Sequence, residues 1–268
     1  MRVDPRSGLV AQARAHRVTP VLGIPMFDQP LARLLETIVA TCRGEPRTSR
    51  LISLTGAHGL VHAQRDVDFA KVLREFDLNL PDGRPGLWIG KYVKRATAME
   101  QIRGSDFFAG VMRATAGAPI SHYLCGGKPG VAERLVTACR DRFGNDRITG
   151  TWCPPFRPLT EDEWDELARD ITASGADIVW VGLGTPKQEL FAKQLARRVE
   201  VHFIATIGAV FDMHVGDIAE APRFVQQSGL EWCYRMLLDP KRLVRRYATV
   251  VPLFLLYNLR EILEERVR

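Results

Sequence analysis

Three segments of this chain have the form that grips phosphate. Cys125-Gly126-Gly127-Lys128-Pro129-Gly130, Gly182-Leu183-Gly184-Thr185-Pro186-Lys187-Gln188-Glu189 and Gly208-Ala209-Val210-Phe211-Asp212 each follow an apolar, β-branched run and lead into a helical pattern. At such junctions backbone N–H groups and the helix dipole attract anions, and glycine lets the backbone come close to them. Gly126, Gly127, Lys128, Gly182, Gly184, Pro186, Phe211 and Asp212 are therefore candidate contacts for a diphosphate. Gln188, with Glu189 beside it, has the chemistry to bond a sugar or ribose hydroxyl. Any one of these segments reads equally well as a plain strand-to-helix turn; three on one sheet point to a shared site. None has the Lys-Ser/Thr of a Walker A loop and none is G-x-G-x-x-G, which argues against nucleotide hydrolysis and dinucleotide redox chemistry.

Removing a proton from an attacking hydroxyl requires a carboxylate or histidine within hydrogen-bond reach. Asp82 fits, because Leu80-Pro81-Asp82-Gly83-Arg84-Pro85 is a stiff turn that fixes the direction of one carboxylate. Asp-Gly is also a common bare turn. Asp66-Val67-Asp68 has the D-x-D spacing of a metal-diphosphate clamp, but it sits among helix formers, where i and i+2 diverge. That leaves no metal expected there. His58 and His62 share one helix face without the third ligand of a zinc site, and read as a solvated or packed pair. Thr55 closes a strand and has two readings, a ligand contact or an ordinary β-branched strand residue.

Residues 235–268 carry eight basic side chains against four acidic ones, a large share of the whole-chain net charge of +6. Arg242, Arg245 and Arg246 lie on one helical side near Trp232, Tyr234 and Tyr247, followed by the apolar run Val250–Leu256. A basic, aromatic amphipathic helix suits an anionic bilayer surface, and the same arginines suit bidentate binding of a diphosphate. The plain alternative is a solvated helix with its apolar side on the core. A nucleic-acid or nucleotide-binding module is the competing class, disfavoured because the arginines mix with apolar and acidic residues and no known motif for it appears.

The elements behind these residues come from periodicity. Between about Val18 and Ile207, apolar runs alternate with helical segments, the mark of βαβ units around a mostly parallel sheet. Strands are expected at Arg50–Thr55, Ile120–Cys125, Asp146–Thr151, Asp177–Val181 and His202–Ile207. Helices are expected at Pro30–Cys42, Asp106–Ala116, Pro129–Phe143, Glu161–Ala173 and Pro186–Arg198, with Thr160 and Glu163 forming a capping box and Pro186 at a first helical position. The fold class is α/β: a Rossmann-like, mostly parallel sheet with flanking helices over 1–220, and a helical, basic C-terminal appendage over 221–268. With 268 residues and 46% hydrophobic content the chain can build a large core. Five scattered cysteines without C-x-x-C pairs suit a reducing cytoplasm. Neither an apolar leader nor a run of roughly 20 apolar residues is present, so membrane contact is expected to be peripheral.

Several stretches go beyond these generic patterns. VLGIPMFD, LNLPDGRPGLW followed by RGSDFF, VWVGLGTPKQELF, and IGAVFDMHVGDIAEAPRFVQQSGLEWCYRMLLDPKRLVRRY together resemble the WecG/TagA/CpsF family of bacterial glycosyltransferases (glycosyltransferase family 26), over about Val18 to Tyr247. The resemblance implies an inverting enzyme, with no metal and no cofactor, peripheral at the inner face of the cell membrane. The implied reaction moves a sugar from a UDP-sugar to an undecaprenyl-diphosphate-linked acceptor for cell-surface polysaccharide or teichoic acid. It puts the general base on Asp82 and a substrate-binding glutamine on Gln188. It adds Thr55, Gly83, Arg103 and Asp106 to the substrate contacts, and brings Arg235, Arg242 and Arg245, with Arg246 beside them, to the lipid-linked diphosphate. Two departures stand out. Thr55-Gly56-Ala57 lacks the asparagine of the family's Thr-x-Asn. Pro81-Asp82-Gly83-Arg84-Pro85 replaces Ala-Asp-Gly-x-Gly, a version associated with exopolysaccharide enzymes. The donor sugar stays open among N-acetylmannosamine, N-acetylmannosaminuronic acid, glucose and glucuronic acid, and a homo-oligomer is an open alternative to a monomer.

Overall fold

The computed structural model describes residues 17–222, 224–225 and 231–267, with the side chains of Arg235, Arg242 and residues 265–267 excepted. Eight strands form one sheet in the order β1-β2-β4-β3-β8-β7-β5-β6. They are β1 (Val18–Val21), β2 (Ile24–Phe27), β3 (Arg50–Thr55), β4 (Leu78–Pro81), β5 (His122–Gly126), β6 (Ile148–Trp152), β7 (Ile178–Gly182) and β8 (Phe203–Thr206). All neighbours run parallel except the β1–β2 hairpin at one edge. The α/β class with a mostly parallel sheet and flanking helices is thus the observed one.

All five expected strands are present, and β3 has the expected bounds. Strands β5 and β6 start later where a side chain takes a backbone group from the ladder. Asp177 Oδ2 accepts the N–H of Ser121 at 2.8 Å, so β5 begins at His122, and Asn145 Oδ1 accepts that of Arg147 at 3.0 Å just ahead of β6. Strands β1, β2 and β4 went unanticipated: each has four residues, and β4 (LNLP) contains Asn and Pro, which strands disfavour.

The helices are α1 (Leu31–Gly44), α2 (Ala57–Arg65), α3 (Val67–Glu75), α4 (Arg84–Trp88), α5 (Gly104–Thr115), α6 (Val131–Phe143), α7 (Glu161–Ser174), α8 (Lys187–Leu195), α9 (Val210–His214), α10 (Glu231–Leu238) and α11 (Pro240–Val267), with a π-helical turn at Ile89–Val93. The Thr160/Glu163 capping box is present at the start of α7. Pro186 stands one residue before α8, as its N-cap. Asp66 breaks its segment into two helices: its carboxylate accepts the N–H groups of Asp68 and Phe69 and caps α3. Those backbone bonds hold the Asp66 carboxyl below the usual carboxylate range.

Three apolar clusters fix the sheet. Phe107, Phe108 and Trp180 centre one face with α1, α5 and α6; Trp164, Leu167 and Ile171 of α7 cover the other. The third joins the β1–β2 hairpin, α2, α3 and α11, where Val250 and Phe254 lie against the cluster holding Leu60 and Val61. Each such aliphatic or aromatic group contributes about 1.5–3 kcal/mol when fully buried. The segment after 221 is therefore helical where described and shares core with the sheet domain, and Glu261 adds bonds to Lys94 (3.3 Å) and the Leu22 N–H (3.4 Å). No helix among the described residues is long and apolar enough to cross a membrane.

Candidate active site

Parallel strands deliver their following loops to one edge, which is where ligands bind on open α/β sheets. Register places Thr55 beside Pro81 and Gly126 beside Gly182, while Val181 and Ser53 both pair with Thr206. Asp82, Gly56, Gly208, Gly182 and Gly126 consequently line one rim. Strands β4 and β8 flank β3, so at about 4.8 Å per strand the Asp82 and Gly208 loops stand roughly 10 Å apart.

Asp82 follows β4 directly and is half-buried. Its N–H donates to the Thr55 carbonyl (3.3 Å), and the Ile102 N–H donates to the carbonyl of Pro81 (3.0 Å). The peptide group between Pro81 and Asp82 is therefore held at both its N–H and its C=O, which fixes where the loop carrying the carboxylate leaves the sheet. Gly83, with φ of 90°, turns the chain into α4. Gly56 caps α2 against Asp82.

The glycine turns are packed backbone on backbone. A Cβ on Gly126 would lie 2.6 Å from the Gly182 carbonyl oxygen, and one on Gly182 would lie 3.1 Å from that of Gly208 and 3.3 Å from the Phe211 ring. Phe211 itself is fully buried beneath them. The Gly127 N–H donates to Gly182 O (3.1 Å); those of Gly184 (3.1 Å) and Gly208 (2.9 Å) donate to Gln188 Oε1. These three amides hold the loops to one another. Lys128 projects exposed beyond Gly127, Gly184 and Pro186 are half-buried, and Asp212 is half-buried on α9.

Gln188 and Glu189 are 2% and 1% exposed. Gln188 Nε2 donates to Thr185 Oγ1 (3.3 Å) and Glu189 Oε1 (3.1 Å), which with its two acceptances fills the amide's bonding capacity. Thr185 Oγ1 donates to Glu189 Oε1 at 2.8 Å. Burial raises the Glu189 carboxyl above the usual range, against the lowering effect of these bonds. Thr55 is buried as well, its hydroxyl 3.0 Å from Ser53 Oγ and 3.3 Å from Asn79 Oδ1. Thr55, Gln188 and Glu189 thus lie under the rim. Ser53 and Asn79, which complete this layer, were missed from sequence; their signal was a polar residue recurring in strands otherwise apolar, since strands of a doubly covered sheet read as continuous apolar runs.

Arg103, at the start of α5, is 8% exposed and meets Glu231 of α10 (3.1 Å), Asp106 (3.5 Å) and Glu220 (3.7 Å). Asp106 is exposed. A groove of about 330 Å³ runs between α2 and α11, lined by His58, His62 and Arg65 on one side and Arg245, Arg246 and Thr249 on the other. His58 stands in the first turn of α2, two residues after Gly56, which adjoins Asp82. Burial, the Arg246 charge and then His62 push His58 down to about 4. The histidine pair therefore faces the arginine helix, His58 and Arg246 being 188 positions apart, a pairing that no local pattern reveals. The side chains of Arg235 and Arg242 lie outside the described residues. A second depression of about 460 Å³, lined by Leu35, Glu36, Val39, Ala40, Arg43 and Ala114, brings no titratable cluster together.

The profile described as "Glycosyl transferase WecG/TagA/CpsF family" matches residues 19–268. A solved nicotinate phosphoribosyltransferase from Vibrio cholerae aligns at 16% identity over 71% of this chain and 48% of its own, with a TM-score of 0.18, and carries no argument. The chain spans about half the length of that protein.

Proposed function

The chain belongs to the WecG/TagA/CpsF family of glycosyltransferases, which serve cell-surface polysaccharide synthesis, and from that premise we propose that it transfers a sugar from a UDP-sugar to an acceptor sugar on undecaprenyl diphosphate. The observation that carries this reading is the position of Asp82: half-buried, with the peptide group before it held at both its N–H and its C=O, and on the same rim as the glycine turns.

In the proposed reaction the Asp82 carboxylate takes the proton of the acceptor hydroxyl as that oxygen attacks C1 of the donor sugar, and the bond to UDP breaks on the opposite side, with inversion. Charge develops on the departing diphosphate. Exposed Lys128 ahead of α6 and the positive end of that helix are suited to stabilise it. Gln188 and Thr55 act from beneath, by fixing the loops. Arg103 and Asp106 stand at the entrance to α5, where Arg103 joins the rim to α10. Arg245 and Arg246 give the α2–α11 groove the charge an acceptor diphosphate requires, and the exposed apolar residues Val251, Leu255 and Leu259 on the same helix suit a lipid surface. We propose that the protein works peripherally at the inner face of the cell membrane. The site calls for no metal in this mechanism.

The test is turnover of a set of UDP-sugars with a short-chain polyprenyl-diphosphate-linked acceptor. One UDP-sugar is expected to be consumed with release of UDP and to give a product of inverted anomeric configuration. Consumption of none, with no stabilisation of the protein by UDP, would overturn the reading.

A further inference from the structure

We propose that Glu189 is a positioning residue for the transfer reaction: its buried carboxyl group ties the 183–186 turn to the carboxyl end of β3 and so sets the donor loops relative to Asp82. The proposal deepens the function proposed above and rests on it for its kinetic arm.

Glu189 Oε1 accepts from Thr185 Oγ1 at 2.8 Å, from Gln188 Nε2 at 3.1 Å and from Ser53 Oγ at 3.5 Å. These donors come from the turn, from its own helix and from β3. Ser53 in turn bonds Thr55, whose carbonyl takes the Asp82 N–H. Gln188, on the other side, holds Gly184 and Gly208. One buried layer therefore joins the loop of the general base to two of the glycine turns, and Glu189 is the member that touches both halves.

The same geometry argues for the protonated form. The side chain is almost wholly enclosed, and among the described residues the side chains bonded to it are uncharged, no ion pair reaches it and Oε2 is buried with no hydrogen-bond partner. A carboxylate left in such a place, without a counter-charge, is far more costly than a neutral acid. Burial is also the main cause of its raised proton affinity. The sign follows. The native protein holds a proton that the unfolded chain releases above the ordinary glutamate range, so the stabilisation is present at acid pH and is lost as pH rises through the folded value. Ionisation on that limb places a charge in the layer and loosens the turn.

Glu189→Gln keeps the Oε1 acceptor and cannot ionise; Glu189→Ala removes the acceptor. Kinetics with the donor and melting temperatures are measured for wild type and both variants from pH 5 to 9. Glu189→Gln is expected to retain kcat/KM within about threefold at neutral pH and to lack the alkaline rise in donor KM shown by wild type. It is also expected to melt higher than wild type at pH 8–9 and no higher at pH 5. Glu189→Ala is expected to lose at least tenfold in kcat/KM at every pH, the scale of a small misplacement of reacting groups. A Glu189→Gln protein as impaired as Glu189→Ala, or one whose melting temperature follows pH as wild type does, overturns the proposal. The melting arm needs no substrate, so it judges Glu189 even where no UDP-sugar turns over, a result that counts against the proposed function instead.

Discussion

Gly56 stands so close to Asp82 that a methyl group on its Cα would lie 2.9 Å from the Asp82 carbonyl oxygen and 3.9 Å from Oδ2. The first turn of α2 and the carboxylate after β4 thus share one space, and only the residue without a side chain lets both occupy it.

Gly56→Ala is therefore expected to push the Asp82 backbone outward while leaving the sheet intact. Turnover falls by about 10- to 100-fold, the scale of an ångström-level displacement of a reacting group. Kinetics beside a circular-dichroism melt check this; full activity in a normally folded variant would show that the Asp82 position is not critical.

Asp82→Asn keeps the shape and removes the base. The expected loss in kcat is about 10²- to 10⁴-fold, with UDP still raising the melting temperature as in wild type. Retained turnover would remove Asp82 from the role.

Acid should destabilise the protein through its enclosed histidines. His122 accepts the Trp180 indole N–H at Nδ1 (3.2 Å) and faces Thr115 Oγ1 with Nε2 (2.9 Å); burial pushes it down to about 3. Burial and then the Arg142 charge push His214 down to about 4. Both are neutral in the native state and charge near pH 6.5 when unfolded, so their stabilisation is present above that pH and declines as pH falls toward 4. Each such group costs up to about 1.4 kcal/mol per pH unit over that window. Glu189 works in the other direction with a single proton. Melting temperature is expected to drop between pH 7 and 4.5, and a flat or rising curve would contradict the assignment.

Arg245→Ala/Arg246→Ala is expected to weaken binding to anionic vesicles by about 30-fold, at about 1 kcal/mol for each basic group near lipid. Vesicle sedimentation at low and physiological salt measures it. Unchanged binding would place the lipid-facing charge elsewhere on the protein.

Much of this was written in the chain itself. The α/β class, five of the strands, the Thr160 cap and the three glycine turns follow from local periodicity and from the few residues that tolerate such turns, since these depend on neighbours only a few positions apart. The motif VWVGLGTPKQELF and the stretch around Gly208 to Tyr247 were enough to suggest the family. Tertiary structure decided what each polar side chain does. Gln188 reads from sequence as a ligand contact, yet the fold buries it against Gly208, 20 residues on, and Glu189 against Ser53, 136 residues back. His58 reads as an idle helix residue until α11 sets Arg246 beside it. Burial, charge and bonding partner arise from contacts between distant segments, and those exist only once the sheet has fixed which loops share a rim.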